Sequence, residues 1–202
     1  MAYSEPNFGE LSPNTLEHSK SVIFIVDPEM RITYCNPAWD EFALANDGED
    51  VVAARVIRTD LMGVIPAPLR GPYKEMFKRC RDQHLTFDFD YECSSADAYR
   101  LLHMNVLPLN RRGDLAFVNS MRVERNHGPE RPPVDPADIY ISADGIITMC
   151  SHCRRSRRHD ASGVWDWVPS FLKTKEWQIS HGVCPVCLSY FHSTFYSATG
   201  TS

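Results

Sequence analysis

Several features that mark membrane, secreted or disordered proteins are missing from this sequence. The longest strictly apolar run is Val22–Val26, whereas a membrane-spanning helix needs roughly 20 apolar residues. The N-terminal residues, MAYSEPNFGELSP, have neither a basic start nor an apolar stretch, so no secretory signal is predicted. With 43% hydrophobic and 23% charged residues among 202, the composition is typical of a globular protein and excludes a disordered or coiled-coil chain.

Motifs of common enzyme classes are also missing. The sequence has no glycine-rich phosphate loop, no Gly-x-Ser-x-Gly elbow and no acid/base pair at a telling spacing, so we predict a non-enzymatic protein. A chain without an export signal is predicted to be cytoplasmic, where thiols stay reduced. Seven cysteines are present, and an odd number does not suit a disulfide framework.

The charge of the chain is unevenly distributed. Residues 1–133 contain 20 Asp and Glu but 15 Lys and Arg, whereas residues 134–202 contain six of each kind, so the net charge of −5 lies in the first part. Between the two parts, residues 124–138 include four prolines. Proline removes backbone donors and favours extended geometry in the preceding residue, so this segment is predicted to be a semi-rigid linker.

The first part begins with the pattern of a strand hairpin followed by a helix. Val22–Val26 is a short apolar run that ends at Asp27 and Pro28, and residues 31–35 alternate polar and apolar side chains, so the two segments are predicted to pair. Asn36 is a suitable N-cap and Pro37 a suitable first residue for the helix that follows.

A second helix and three further strands complete the pattern of the first part. The helix is predicted to begin near Gly71 and Pro72, because residues 73, 76, 77 and 80 share one apolar face. Residues 85–93 alternate between apolar and polar side chains, and from residue 87 onward the alternation is between aromatic or cysteine and acidic side chains, which indicates a half-buried strand. Residues 99–107 and 115–123 are predicted to be the last two strands.

Four short motifs in this part resemble the PAS sensor-domain family over about residues 14–124. The motifs are VDPEMRI at 26–32, NPAW at 36–39, YEC at 91–93 and LPL at 107–109. The resemblance implies an α+β fold, with a five-stranded antiparallel sheet and helices on one face. It also implies a role in signal transduction, by sensing a small ligand or by mediating homodimerisation, with protein partners in a signalling pathway.

The resemblance further implies a cavity between the sheet and the helices. The candidate lining residues are Trp39, Phe42, Tyr73, Phe77, Phe89, Tyr91 and Met104. Flavin-binding relatives carry a reactive cysteine in a motif that the surroundings of Cys80 do not match, so a photoreceptor is rejected. Haem-binding relatives use a helix histidine, for which His84 is the candidate, although a histidine at a helix C-terminus also favours the helix dipole.

The most specific motif lies in the second part of the chain. Cys150 and Cys153 form one C-x2-C pair, and Cys184 and Cys187 form another after 30 intervening residues. Two such pairs supply four thiolates for one tetrahedral zinc ion, so a structural, zinc-ribbon-like module is predicted. Residues 139–149 are predicted to be a hairpin that turns at Asp144 and Gly145 and leads into the first pair.

Two histidines and a basic run accompany the cysteines. His181 is a candidate alternative ligand or a hydrogen-bonding neighbour of the thiolates, and His152 lies inside the first pair and is predicted to face away from the metal. The four arginines of residues 154–159 either offset the −2 charge of a zinc–thiolate centre or bind nucleic acid, which makes a small transcription regulator one alternative. A thiol-based redox switch is another alternative.

Residues 148–190 also resemble the cysteine-rich tail that follows sensor domains in bacterial signalling proteins. The chain is predicted to consist of five segments. They are an N-terminal tail (1–13), a PAS-like domain (14–124), a Pro-rich linker (125–138), a cysteine-rich zinc module (139–192) and a C-terminal tail (193–202).

Overall fold

The computed structural model describes residues 11–174 and 176–197, with the backbone alone at residues 192 and 194–197. The helices are α1 (Pro13–His18), α2 (Pro37–Leu44), α3 (Ala53–Val56), α4 (Leu61–Val64), α5 (Ala67–Gln83), α6 (Ser170–Lys173) and α7 (Pro185–Ser197). The strands are β1 (Val22–Val26), β2 (Ile32–Cys35), β3 (Phe87–Glu92), β4 (Ala98–Pro108), β5 (Leu115–Asn126), β6 (Ile146–Cys150), β7 (Ser156–Arg157), β8 (Trp165–Asp166) and β9 (Gln178–Gly182). None of these helices is long and apolar enough to cross a membrane.

Most of the predicted N-terminal tail, residues 1–10, lies outside the described residues, as do residues 198–202 of the predicted C-terminal tail. The described start of that C-terminal tail is not irregular, because α7 continues to Ser197.

The predicted α+β fold is confirmed by a five-stranded antiparallel sheet in the order β2-β1-β5-β4-β3. Strand β1 is central to its packing, because both faces of the strand are covered. Ile23 and Ile25 pack with Leu16 of α1 and Ala116 of β5. On the opposite face, the ring of Phe24 stacks on that of Phe117 in β5, with centroids 4.5 Å apart. A strand buried on both faces is expected to be a continuous apolar run, as this one is.

Asn36 fixes the passage from the first hairpin into α2. Its Oδ1 accepts hydrogen bonds from the backbone amides of Trp39 (3.2 Å) and Ile23 (2.9 Å). Its Nδ2 donates to the carbonyls of Leu16 (3.2 Å) and Ser21 (2.9 Å). The side chain therefore caps the helix, as predicted, and also ties α1 and β1 together from a position that is only 1% exposed.

Helix α5 begins at Ala67, several residues before the predicted start near Gly71 and Pro72. Leu69, which is 1% exposed, extends the apolar face of the helix by one turn toward its N-terminus. Pro72 lies inside the helix and removes one backbone hydrogen bond from it, but the buried apolar face continues on both sides of this proline, through Leu69 and Tyr73. The prediction was wrong here because it treated the Gly-Pro pair as a helix boundary.

The cysteine-rich segment contains a second sheet of four short strands in the order β8-β7-β6-β9. Strand β6 pairs with β9 in parallel, with Cys150 opposite Gly182, and with β7 in antiparallel orientation. Five side chains form the core of this segment: Tyr140, Ile147, Met149, Val168 and Phe171.

The hairpin predicted at residues 139–149 forms only in part. Its turn is present, since the amide of Gly145 donates to the Ser142 carbonyl over 2.9 Å and Gly145 has φ +76°. The first arm is a 3-10 turn at Asp138–Tyr140, and a single bridge joins Ile141 to Ile147. The ring of Tyr140 lies in the core of the segment, where it packs on Phe171. At this position the first arm is held by burial of the ring and not by strand pairing.

Chain contacts divide the protein into two compact units. The first consists of the chain up to Ile65 together with Pro72–Asp90 and His103–Met121, and the second of Pro66–Gly71, Tyr91–Leu102 and the chain from Arg122 onward. The second unit thus contains residues from both sides of the predicted boundary at residue 124. Strand β5 also continues through Asn126, two residues into the predicted linker.

Candidate metal centre

The two cysteine pairs are carried by neighbouring elements of the second sheet. Cys150 is the last residue of β6, and Cys153 follows in a tight turn. Cys184 lies just after β9, and Cys187 lies in the first turn of α7. Parallel pairing of β6 with β9 brings the ends of both strands to the same edge. The second pair lies at the start of helix α7, whose first residue is Pro185.

The four sulfur atoms form one compact cluster. All four lie within 4.8 Å of one another, and Sγ of Cys153 is 3.6 Å from Sγ of Cys184. Sulfurs bound tetrahedrally to one zinc ion, each at about 2.3 Å, lie about 3.8 Å apart. Cys150, Cys153 and Cys184 are buried, and Cys187 is partly buried. The donor set, its spacing and its burial all fit a closed zinc site.

Backbone amides support the sulfur atoms. The amide of Cys184 donates to Sγ of Cys150 over 3.4 Å, and the amide of Cys187 donates to Sγ of Cys184 over 3.5 Å. The turn after β6 is closed by hydrogen bonds from Cys150 N to the Arg155 carbonyl (2.8 Å) and from Arg154 N to the Cys150 carbonyl (3.1 Å). Such N–H donors stabilise thiolate charge, which is the form of cysteine that binds metal.

The electrostatics of the cluster favour ionised sulfur at Cys150 and Cys153, whereas hydrogen bonds to the neighbouring thiols raise the pKa values of Cys184 and Cys187. The pKa of Cys150 is well below the usual thiol range, because the thiols of Cys153, Cys184 and Cys187 donate hydrogen bonds to it. The hydrogen bond with Cys150 opposes ionisation of Cys153, but those from Cys184 and Cys187 lower its pKa to about 6. Burial opposes the charge of Arg155, yet its hydrogen bond to Cys153 raises the pKa of this guanidinium. The cluster thus concentrates negative charge where a divalent cation would offset it.

Neither histidine belongs to the cluster. Within the described residues, the group that could hold a metal ion comprises the four cysteines without His181 or His152. His181 is an exposed residue of β9, opposite Met149. The ring of His152 contacts the rings of Phe191 and Tyr91, with centroids 4.3 and 6.2 Å away. The side chain inside the first pair therefore packs with aromatic residues.

The basic run after the first pair is partly engaged within the protein. Arg158 makes a bidentate ion pair with Asp160, at 2.6 and 2.8 Å. Arg155 makes a hydrogen bond to Cys153. Arg157 is exposed and Arg154 is half-buried. Of the four arginines, Arg155 thus contacts a thiol of the cluster, whereas Arg158 pairs with a surface carboxylate.

Some of the predicted cavity residues come together and others do not. The ring of Tyr73 contacts those of Phe77 (5.5 Å) and Phe89 (6.2 Å), so three candidates form one aromatic cluster. Trp39 packs edge-on against Phe24 at 5.4 Å, and its Nε1 donates to the Val51 carbonyl. Phe42 and Met104 are half-buried.

Tyr91 and His84 lie elsewhere. The ring of Tyr91 contacts His152, because the end of β3 belongs with the cysteine-rich unit. His84 is an exposed residue just after α5 and lines a cavity of about 490 Å³ with Leu11, Thr86 and residues 107–111. His84 therefore lies at the surface and not among the buried rings.

Arg131, which lies in the predicted linker, has contacts that no pattern in the sequence predicted. Its Nη1 pairs with Oε1 of Glu92 at 2.6 Å and its Nη2 donates to the Cys153 carbonyl at 2.6 Å. Its guanidinium also lies over the ring of Trp167, 4.4 Å from the centroid. The side chain is only 5% exposed. No local signal in the sequence distinguishes this arginine from those on the surface, because its partners are distant along the chain.

The first part of the chain matches a known family. The family model described as the PAS fold matches residues 16–123, which is more than half of the chain. The chain belongs to the PAS family. This match does not reach the cysteine-rich segment, whose relation to tail modules of bacterial signalling proteins stays a prediction.

Solved PAS structures are also similar to this PAS chain. The PAS domain of BvgS from Bordetella pertussis is 17% identical, with a TM-score of 0.42, over 55% of this chain and 84% of that one. The PAS domain of nitrogen regulation protein NR(II) from Vibrio parahaemolyticus is 18% identical, with a TM-score of 0.31, over 56% and 95%. A PAS domain from a two-component sensor histidine kinase is 13% identical, with a TM-score of 0.37, over 54% and 91%. The chain matches none of the curated proteins.

Proposed function

We propose that this protein is a non-enzymatic sensor or regulatory component of a signalling pathway, in which a PAS domain is combined with a structural zinc module. The observation that carries the proposal is the convergence of four thiols from two C-x2-C pairs on one largely buried point. Membership of the PAS family supports the sensing or regulatory role.

The zinc site is proposed to be structural. Four thiolates complete the tetrahedral coordination of zinc and leave no open position for a substrate or a water nucleophile. Cys150, Cys153, Cys184 and Cys187 would hold the ion, and the amide donors and Arg155 would offset part of the site's −2 charge. The remaining core of this segment is small, so zinc binding would contribute directly to its folding free energy.

The PAS domain is proposed to receive the signal, by binding a small ligand or by forming a homodimer, and to pass it to a protein partner. The experiment is native mass spectrometry of the purified protein, combined with its absorption spectrum and elemental analysis. We expect one zinc per chain and no haem or flavin absorption, with the mass showing a dimer or a retained ligand. A zinc-free protein, or one that is monomeric and ligand-free at every concentration, would contradict the corresponding part of the proposal.

A redox switch built on the same thiols is the second candidate, because Cys187 is the one sulfur of the four that is partly exposed and so offers oxidants a point of attack. Mild peroxide distinguishes the two. A structural site keeps its zinc until the module unfolds, whereas a switch releases zinc reversibly and regains it after reduction.

A further inference from the structure

The Pro-rich segment after β5 is held in place by contacts made through its side chains and backbone. Nε2 of His127 hydrogen-bonds the Ser95 carbonyl at 3.0 Å, and its ring packs on Trp167 at 4.6 Å. The amide of Val134 donates to the Trp167 carbonyl over 2.8 Å. The segment therefore does not behave as a free spacer, and Arg131 lies between these two attachment points in the sequence.

Arg131 joins groups from two distant parts of the chain. Toward β3 it pairs with Glu92, whose side chain is 18% exposed, and donates from Nη1 to Oγ of Ser94 at 3.3 Å. Toward the metal centre it donates from Nη2 to the carbonyl of Cys153. A guanidinium this well buried requires its acceptors, because loss of one leaves a desolvated N–H group without a partner and weakens the compensation of the buried charge.

A second contact links the same two elements. Tyr91 precedes Glu92 in β3, and His152 precedes Cys153 in the first cysteine pair, and the rings of Tyr91 and His152 meet with centroids 6.2 Å apart. Two consecutive residues of β3 are thus linked to two consecutive residues of the turn. Tyr91 contacts His152 directly through its ring, and Glu92 is linked to Cys153 through Arg131.

We propose that Arg131 is a positioning residue that couples occupancy of the metal centre to the order of the end of β3. This inference rests on the proposed zinc site. The position of the Cys153 carbonyl is set by the turn, which a bound ion would hold closed. Without the ion, the turn becomes less ordered and Arg131 loses the Cys153 carbonyl as an acceptor. The guanidinium is then held less firmly, and its ion pair with Glu92 weakens. Among the described strands, β3 is at the edge of its sheet and pairs with β4 alone, so no second described strand holds its end.

The test is a double-mutant cycle on zinc affinity, measured by competition with a chromophoric chelator. Glu92→Gln removes the charge from a residue that is not a proposed ligand, and we expect it to weaken zinc binding about tenfold, as loss of supporting contacts around a metal typically does. Arg131→Met should weaken binding by at least as much. The double variant should be no weaker than Arg131→Met alone, because both changes remove the same link.

The matched controls are Arg125→Met and Glu130→Gln. Arg125 and Glu130 form an ion pair in the same stretch of chain at 2.7 Å, but their side chains are 45% and 59% exposed, so neither change should alter zinc affinity. Additive effects in the cycle, or an unchanged affinity in Glu92→Gln, would overturn the proposal. Glu92→Gln decides the question if Arg131→Met does not fold.

Amide hydrogen exchange tests the coupling in the opposite direction, from the metal centre to β3. Chelation of zinc should speed amide exchange in residues 150–155 and also in residues 91–95 of the wild-type protein, but not in residues 22–26 of β1. Unchanged exchange in residues 91–95 would contradict the coupling while leaving the zinc site intact. If the purified protein holds no zinc and binds none when it is added, the proposed site is wrong and metal coupling is excluded with it. Faster exchange of residues 150–155 in Glu92→Gln than in Glu130→Gln would then show only that Arg131 links β3 to the turn without a metal.

Discussion

The amide of Cys184 donates a hydrogen bond to Sγ of Cys150, so the two cysteine pairs are in direct contact although 30 residues separate them in the sequence. Cys150 ends one strand, and Cys184 follows the strand paired with it. Each pair therefore supports the geometry of the other, and the loss of one sulfur should affect the whole centre.

Substitution of one cluster cysteine tests the metal centre. We expect Cys150→Ser to reduce zinc from one per chain to well below that ratio, since a buried alcohol is a poor substitute for a thiolate ligand. Elemental analysis and native mass spectrometry measure the change. Cys35→Ser is the matched control, because Cys35 belongs to β2 and should leave the zinc content unchanged. Equal zinc in Cys150→Ser and wild type would show that the ion is bound elsewhere.

Asn36→Ala tests the junction between the first hairpin and α2. The change removes the helix cap and leaves the Ile23 amide and the Ser21 carbonyl without this partner in a buried place. We expect a loss of about 2–4 kcal/mol in the free energy of unfolding, measured by urea denaturation. Asn46→Ala, which removes a hydrogen bond to the Phe42 carbonyl from a part-buried position, should cost less than about 1 kcal/mol. Similar losses in both variants would contradict this role of Asn36.

Phe77→Ala tests whether the aromatic cluster is a packed core. Phe77 is 2% exposed and contacts the rings of Tyr73 and Phe117. We expect a loss of about 3–5 kcal/mol in unfolding free energy and a new void that binds xenon or benzene. Leu44→Ala, at a position that is 58% exposed, should change stability by less than about 0.5 kcal/mol. A small loss for Phe77→Ala would instead indicate that its ring borders a cavity that is already open.

Two thiols in the PAS domain should contribute to a fall in stability at alkaline pH, in addition to the tyrosines whose pKa values burial also raises. Burial raises the pKa of Cys80 to about 11, and burial together with the charge of Asp40 raises that of Cys35 to about 12. From about pH 9 to pH 11–12 the unfolded chain therefore releases protons that the folded chain retains, which favours unfolding as the pH rises. Urea unfolding measured between pH 8 and 11 should show this decline, and it should be smaller in the double variant Cys35→Ala, Cys80→Ala. An identical slope in both proteins would assign the decline to other groups.

Much of the fold could be predicted from local patterns. The alternation from residue 85 onward, the cap at Asn36 and the C-x2-C spacing each depend on neighbours in the sequence, and the structure has the strand, the helix start and the sulfur cluster. The start of α5 was missed, because burial of Leu69 outweighs the local preference of Gly71 and Pro72 to end a helix.

The contacts around the centre could not be predicted in the same way. Arg131 meets Glu92 and Cys153 only after three separate segments have come together, and neither spacing nor composition encodes such a meeting. The same holds for Tyr91, whose alternation with Phe89 assigns it to one face of β3 but does not show that its neighbour is His152.

Parallel pairing of β6 and β9 has a consequence for the order of folding. The turn with Cys150 and Cys153 forms from nearby residues, whereas Cys184 and Cys187 arrive only when β9 has docked beside β6. Parallel neighbours need a long crossover, and contacts between distant residues form slowly. A zinc ion that binds before β9 has docked would have only two sulfur ligands, Cys150 and Cys153. Tight zinc binding would therefore require that residues 146–187 have finished folding.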